Sequence, residues 1–203
     1  MKAALIVSLM FALLSLTGCE VQSAPNSARE AAAAFGNVLD LYNERLDLTA
    51  QAIALARNYL PADAPVLTQV DRTRAIVADL HASPALLESP ASFERFDVAQ
   101  RDLTDAISQL LIKCEGVRRL KASRAFNSLQ SRLASCAGRI ALARDRYTEA
   151  ARRHNASLHD ASINLADRAH LERDMPTFTV PDRAPANHHP RTDFGALRGS
   201  LRV

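Results

Sequence analysis

The chain has 203 residues, 48% of them hydrophobic but only 5% aromatic, with no Trp and a formal net charge of +3. That surplus is too small to imply a nucleic-acid partner, and the apolar content is enough to build one real core rather than a disordered chain. Ala and Leu carry most of the apolar share and Gly is scarce, which favours helices over strands.

In chain order, the first stretch pairs a basic residue, Lys2, with an apolar and small-residue run from Ala3 to Leu14. That run is shorter than the roughly 20 apolar residues a membrane-spanning helix needs, so it reads as a signal h-region. It ends in Leu16-Thr17-Gly18-Cys19, which resembles the lipobox of bacterial lipoproteins. The resemblance implies cleavage after residues 1–18, a diacylglycerol on Cys19 and acylation of the new N-terminus. Several acyl chains, at about 0.8 kcal/mol per buried methylene, would hold the protein firmly on a membrane. Residues 19–28, polar and small with Pro25, are expected to tether the lipid to a folded region over 29–174. Glu20 stands where retention in an inner membrane typically uses Asp, which leans the anchor toward an outer membrane.

A first helix is predicted from near Ser27 to Leu60, with Phe35, Val38, Tyr42, Leu46, Thr49, Ile53, Ala56 and Leu60 on one face. Pro61 and Pro65 interrupt it, a shorter helix carries Val66, Leu67, Val70, Ile76, Val77 and Leu80, and Ala82 to Ser92 reads as a loop. A third helix runs from about Phe93 to Val117 with Phe96, Ala99, Leu103, Ala106, Leu110, Cys114 and Val117 inward. The fourth is the clearest: Phe126, Leu129, Leu133, Cys136, Ile140, Ala143, Tyr147, Ala150 and His154 step three and four without a slip, a heptad seam. From a Ser123 cap to about Asp160 it would be close to 55 Å long. About four long helices with short connections give an all-α, antiparallel up-and-down bundle. Residues 175–203, with Pro176, Pro181, Pro185 and Pro190, read as a disordered tail.

The segment Leu120-Lys121-Ala122, Phe126, Leu129-Gln130, Leu133, Arg139-Ile140, Ala143-Arg144 and Tyr147 resembles the LemA family at its own spacing, as do Arg45, Asp47-Leu48, Tyr59, Leu67, Val70 and Arg74-Ala75. The resemblance implies a helical bundle without established enzymatic activity, in a family some of whose members are tied to membrane remodelling. The chain departs from it at Thr49-Ala50-Gln51, where Ile-Pro-Asn is common, and at Val117-Arg118-Arg119, in place of a Tyr-Pro-Asp turn. It departs again at Ala137 for Glu and His154 for Tyr, and its lipobox replaces the usual N-terminal membrane helix.

Arg132, Arg139, Arg146 and Arg153 recur at intervals of seven beside the seam. Such a ridge can meet anionic headgroups or an acidic partner helix. Alternatively, each Arg lays its methylenes over the seam and pairs with an acid such as Asp102 or Asp105 on the neighbouring helix, with Glu149 pairing to Arg153 at i,i+4. With a turn centred near Leu120, Cys136 lies about 13 Å along the helix from the level of Cys114, beyond the Cα reach of about 7 Å that a disulfide allows. Two buried thiols are expected. His154 and His159 point apart on a helix, and His188-His189 alone form no closed metal site. No catalytic frame, phosphate loop, cofactor motif or metal motif is visible. The expected role is a non-enzymatic interaction or scaffolding module of the cell envelope. It would face the periplasm and bind another envelope protein; the alternative is a bundle that binds an amphiphile or lipid.

Overall fold

The computed structural model describes residues 24–161 and 173–182. The expected signal segment, Cys19 and residues 183–203, including His188-His189, lie outside the described residues. The described residues form helices and no strands: α1 (Ala24–Arg57), α2 (Pro65–Asp79), a 3-10 turn (Pro84–Glu88), α3 (Pro90–Glu115), a one-turn α4 (Arg118–Lys121) and α5 (Arg124–Ala161), with 173–182 outside any helix.

The breaks follow local chemistry. After α1, backbone bonds from Asn58, Tyr59 and Leu60 close a turn before Pro61, and Pro65 opens α2 at a position where a missing N–H costs nothing. α3 starts three residues before the predicted Phe93. Ser89 caps it by accepting from the Ser92 N–H at 3.3 Å, and Pro90 supplies a pre-set first turn. The expected loop 82–92 is therefore divided between a 3-10 turn and this cap.

Side-chain pairs between α1 and α5 fall in reverse order along the two helices: Glu30 with Arg153, Glu44 with Arg139, Gln51 with Arg132. Antiparallel packing is the only arrangement that produces such a sequence. Arg57 of α1 reaches Asp71 of α2, and Arg74 reaches the Leu46 carbonyl, so that pair is antiparallel too. α2 in turn lies along α3. The result is the predicted up-and-down bundle.

All nine seam positions of α5, from Phe126 to His154, are buried. In α1, Leu46 is only half-buried, and Arg45 is buried beside it. In α2, Ile76 is 46% exposed and Thr73 is buried instead. Thr73 loses no hydrogen bond inside, because its hydroxyl donates back to the helix carbonyls of Gln69 or Val70. One aromatic layer ties the bundle together: Phe35 stacks 5.0 Å from Tyr147 and 5.8 Å from Phe93, and Phe178 lies 4.8 Å from Phe93. Ring contacts of this kind add about 0.5–1.5 kcal/mol each beyond the area they bury.

Two expected boundaries move. Part of the tether is helix, since α1 begins at Ala24 and Ser27 is buried, its hydroxyl 3.1 Å from Nδ1 of His154. The tail, expected from residue 175, is placed against the bundle over residues 173–182, with Phe178 buried. Its prolines keep it out of a helix, and side chains of the bundle supply the hydrogen bonds that its backbone cannot make to itself.

Candidate functional site

The 173–182 segment runs back along α5 as an extended strap. Asn155 binds both sides of one residue, donating to the Met175 carbonyl at 3.0 Å and accepting from the Met175 N–H at 2.8 Å. The Tyr147 hydroxyl donates to the Pro176 carbonyl, and Arg144 donates to the Val180 carbonyl at 2.6 Å. Near the start of the strap, His159 faces Asp174 at 3.2 Å on the surface. Phe178 is the strap's aromatic anchor, with the Arg144 guanidinium 3.8 Å above its ring centre. Desolvated cation–ring contacts of this type contribute about 2 kcal/mol.

Beneath the strap lies a polar cluster inside the bundle. Arg144 pairs with Asp97 at 2.7 Å, both side chains 3% exposed, and donates to the Tyr42 hydroxyl at 2.6 Å. Arg101 approaches the other oxygen of Asp97 at 3.3 Å. Arg45 donates to Thr104 at 2.6 Å, to the Gln100 side chain at 2.5 Å and to Asp182 of the strap at 2.9 Å, while Thr104 donates to the second Asp182 oxygen. Two buried guanidiniums thus meet two buried carboxylates, one of them brought by the strap. Burial also pushes the Tyr42 hydroxyl up to about 12, so it stays a neutral acceptor for Arg144 at ordinary pH. Chemically, the cluster holds opposite charges together out of water and cements three helices to the strap.

Heptad reading does not see this cluster. Arg45 precedes the seam residue Leu46 and Arg144 follows Ala143, flanking positions where an Arg is ordinarily solvated. Asp97, Phe178 and Asp182 carry no spacing signal at all; an aromatic between two prolines in a polar tail is the one hint the sequence offers.

Of the ion pairs expected along the Arg ridge, the one within α5 forms and those to Asp102 or Asp105 do not. Arg139 and Arg153 pair with Glu44 and Glu30, and Arg132 donates to Gln51 at 2.9 Å, all on α1. Asp102 and Asp105 are exposed and form no ion pair among the described residues, because the ridge side of α5 faces α1 rather than α3. Arg153 does also meet Glu149 at 3.5 Å, as its i,i+4 spacing implies. Arg132 and Arg146 are exposed without an ion-pair partner among the described residues, Arg132 being hydrogen-bonded to the neutral Gln51 side chain. Arg146 is the one with no such bond to α1. It overlooks shallow grooves between α1 and α5, one of about 420 Å³, lined by Ala34, Leu41 and Leu142.

Cys114 and Cys136 are free and buried, as the helix geometry requires, and burial raises both thiols, Cys114 to about 11. His154 is buried at the end of the seam. No group of three or more potential metal ligands occurs among the described residues.

The sequence model of the LemA family matches residues 34–194, most of the chain. The chain belongs to the LemA family. No curated protein matches it. In this LemA protein the residues that carried the resemblance divide into two kinds. Leu120, Phe126, Leu129, Leu133, Ile140 and Tyr147 are buried packing positions, whereas Arg45 and Arg144 are the two guanidiniums of the polar cluster. The match extends past α5 and covers the strap, in keeping with its packing as part of the folded unit.

Proposed function

We propose that this LemA protein is a non-catalytic, lipid-anchored helical interaction module of the cell envelope, held by Cys19 and facing the periplasm. The observation that carries the reading is the lipobox-like Leu16-Thr17-Gly18-Cys19 behind a short apolar run. No helix among the described residues is long and apolar enough to cross a membrane. α1 begins five positions after Cys19, which would seat the bundle close to the lipid. Glu20 after the acylated Cys leans the assignment toward an outer membrane. An amphiphile carried between splayed helices is the weaker reading. The layer of Phe35, Phe93, Tyr147 and Phe178 fills the space such a ligand would need, which supports a surface that meets another envelope protein.

The test is processing in cells. Cys19→Ser should leave an unprocessed precursor and abolish labelling by a radioactive or clickable fatty acid. Normal maturation and labelling in that variant would overturn the anchor.

A further inference from the structure

Three of the four ridge arginines are engaged with α1, and most of the unengaged positive charge lies elsewhere. Lys113, Arg118, Arg119, Lys121 and Arg124 are all exposed at the end of the bundle where α3, α4 and α5 join. They are five cations within twelve residues, and Glu115 is the single acid in that stretch. Glu115 is itself half-buried and hydrogen-bonded by Gln130. None of the five cations has an ion-pair partner among the described residues. Of the acids on the neighbouring α1–α2 end, Asp71 is paired with Arg57, leaving Asp63 exposed.

We propose that this basic cap is a docking surface for an acidic, Asp- or Glu-rich segment of a partner protein. The turn fixes the backbone from which these charges project. Val117 N–H bonds Cys114, the Leu120 and Lys121 N–H groups bond Val117, and Ser123 N–H bonds Leu120, all within 2.8–3.0 Å, while the Leu120 side chain is buried below. A pre-ordered site loses less conformational entropy on binding. Adjacent Arg118 and Arg119 offer planar forks that match carboxylates.

The choice of a protein over the chain's own bilayer rests on the anchoring proposed above. The cap is at the far end of α1, whose 34 residues span about 50 Å at 1.5 Å per residue. Electrostatic attraction to headgroups at the anchored end fades over a Debye length of about 8 Å.

The experiment uses the full lipidated chain in phosphatidylcholine nanodiscs, with a fluorescent deca-glutamate peptide as probe and phosphatidylglycerol vesicles as the competing surface. The parent should bind the peptide with an affinity that falls as salt rises. Arg118→Glu with Arg119→Glu should weaken it about tenfold or more while helicity is unchanged. Arg146→Glu, at another exposed charge, on the ridge, should keep the parent's affinity. The neutral triple change Arg118→Gln, Arg119→Gln and Lys121→Gln should weaken binding too, and it decides the matter if charge reversal disturbs folding. Full binding by either folded cap variant, equal loss in Arg146→Glu, or tighter cap-dependent binding to the vesicles than to the peptide would each overturn the proposal. Peptide affinity should be the same in unlipidated Cys19→Ser, so a failed anchor and a failed cap give different results.

Discussion

Arg45 in α1 and Asp182 in the strap, 137 positions apart in the chain, meet at 2.9 Å with both side chains only 5% exposed. Removing one partner of such a pair leaves a buried charge without compensation, at a cost of about 3–5 kcal/mol. Asp182→Ala should therefore lower stability by that order in urea unfolding. It should also speed amide exchange across residues 173–182 more than in the middle of α5. Arg45→Met with Asp182→Leu, which removes both charges, should recover much of the loss, and the double-mutant cycle measures the coupling. An Asp182→Ala protein with parental stability would show that the Arg45–Asp182 pair contributes nothing to the fold.

The seam and the ridge of α5 make opposite predictions. Leu133 and Ile140 are buried in mid-seam, and cutting either to Ala should cost about 2–5 kcal/mol through lost burial and a residual cavity. Arg139 and Arg146 are exposed, so changing both to Gln should cost no more than about 1 kcal/mol each, including the surface pair of Arg139 with Glu44. Thermal melts of the four variants check the ranking. The reverse order would mean that the faces of α5 are misassigned.

The bundle was legible because its helices repeat one choice many times. Every seam residue from Phe126 to His154 votes for the same face, so a single exception such as Ile76 in α2 does not change the outcome. What escaped was decided once, in three dimensions. Neither heptad position nor composition distinguishes Arg144, which is buried against Asp97, from Arg146, which is in solvent two positions later; the family resemblance includes Arg144 but assigns it no partner. The strap escaped for a related reason. Pro176 and Pro181 signal only the absence of regular structure, while the partners that order the segment, Asn155, Tyr147, Arg144 and Arg45, lie far away in sequence. The start of α3 was readable in hindsight from Ser89-Pro90, a cap and first-turn pair hidden inside a run that looked like loop.

Gly138 offers a gain rather than a loss. It sits in α5 with an exposed backbone, and a methyl group built on it would meet nothing within 4 Å. Gly138→Ala should raise stability by about 0.5–1 kcal/mol, because Ala has the higher helix propensity and restricts the unfolded chain. A melting temperature at or below the parent's would mean that the backbone at this point needs glycine.

The buried thiol and phenol set an alkaline limit to stability. Burial raises Cys114 from an ordinary value of 9.0 to about 11 and Tyr42 from 10.0 to about 12. Above the ordinary values the unfolded chain releases these protons while the folded chain still holds them, so the unfolded state binds fewer protons and stability falls as pH rises. The contribution is complete below pH 9 and is lost progressively as pH passes through about 11 for Cys114 and about 12 for Tyr42. Urea midpoints measured at pH 7, 9, 10 and 11 should be level at first and then decline. Cys114→Ala should lessen the earlier part of the decline, relative to its own neutral-pH midpoint, leaving the share of Cys136, whose thiol burial also raises, and the later part. A thiol reagent at neutral pH should label neither Cys114 nor Cys136 in the folded domain and both after unfolding, since both are buried and free. Rapid labelling of the folded protein, or a midpoint that holds steady to pH 11, would place Cys114 nearer to solvent than the packing of α3 against the bundle allows.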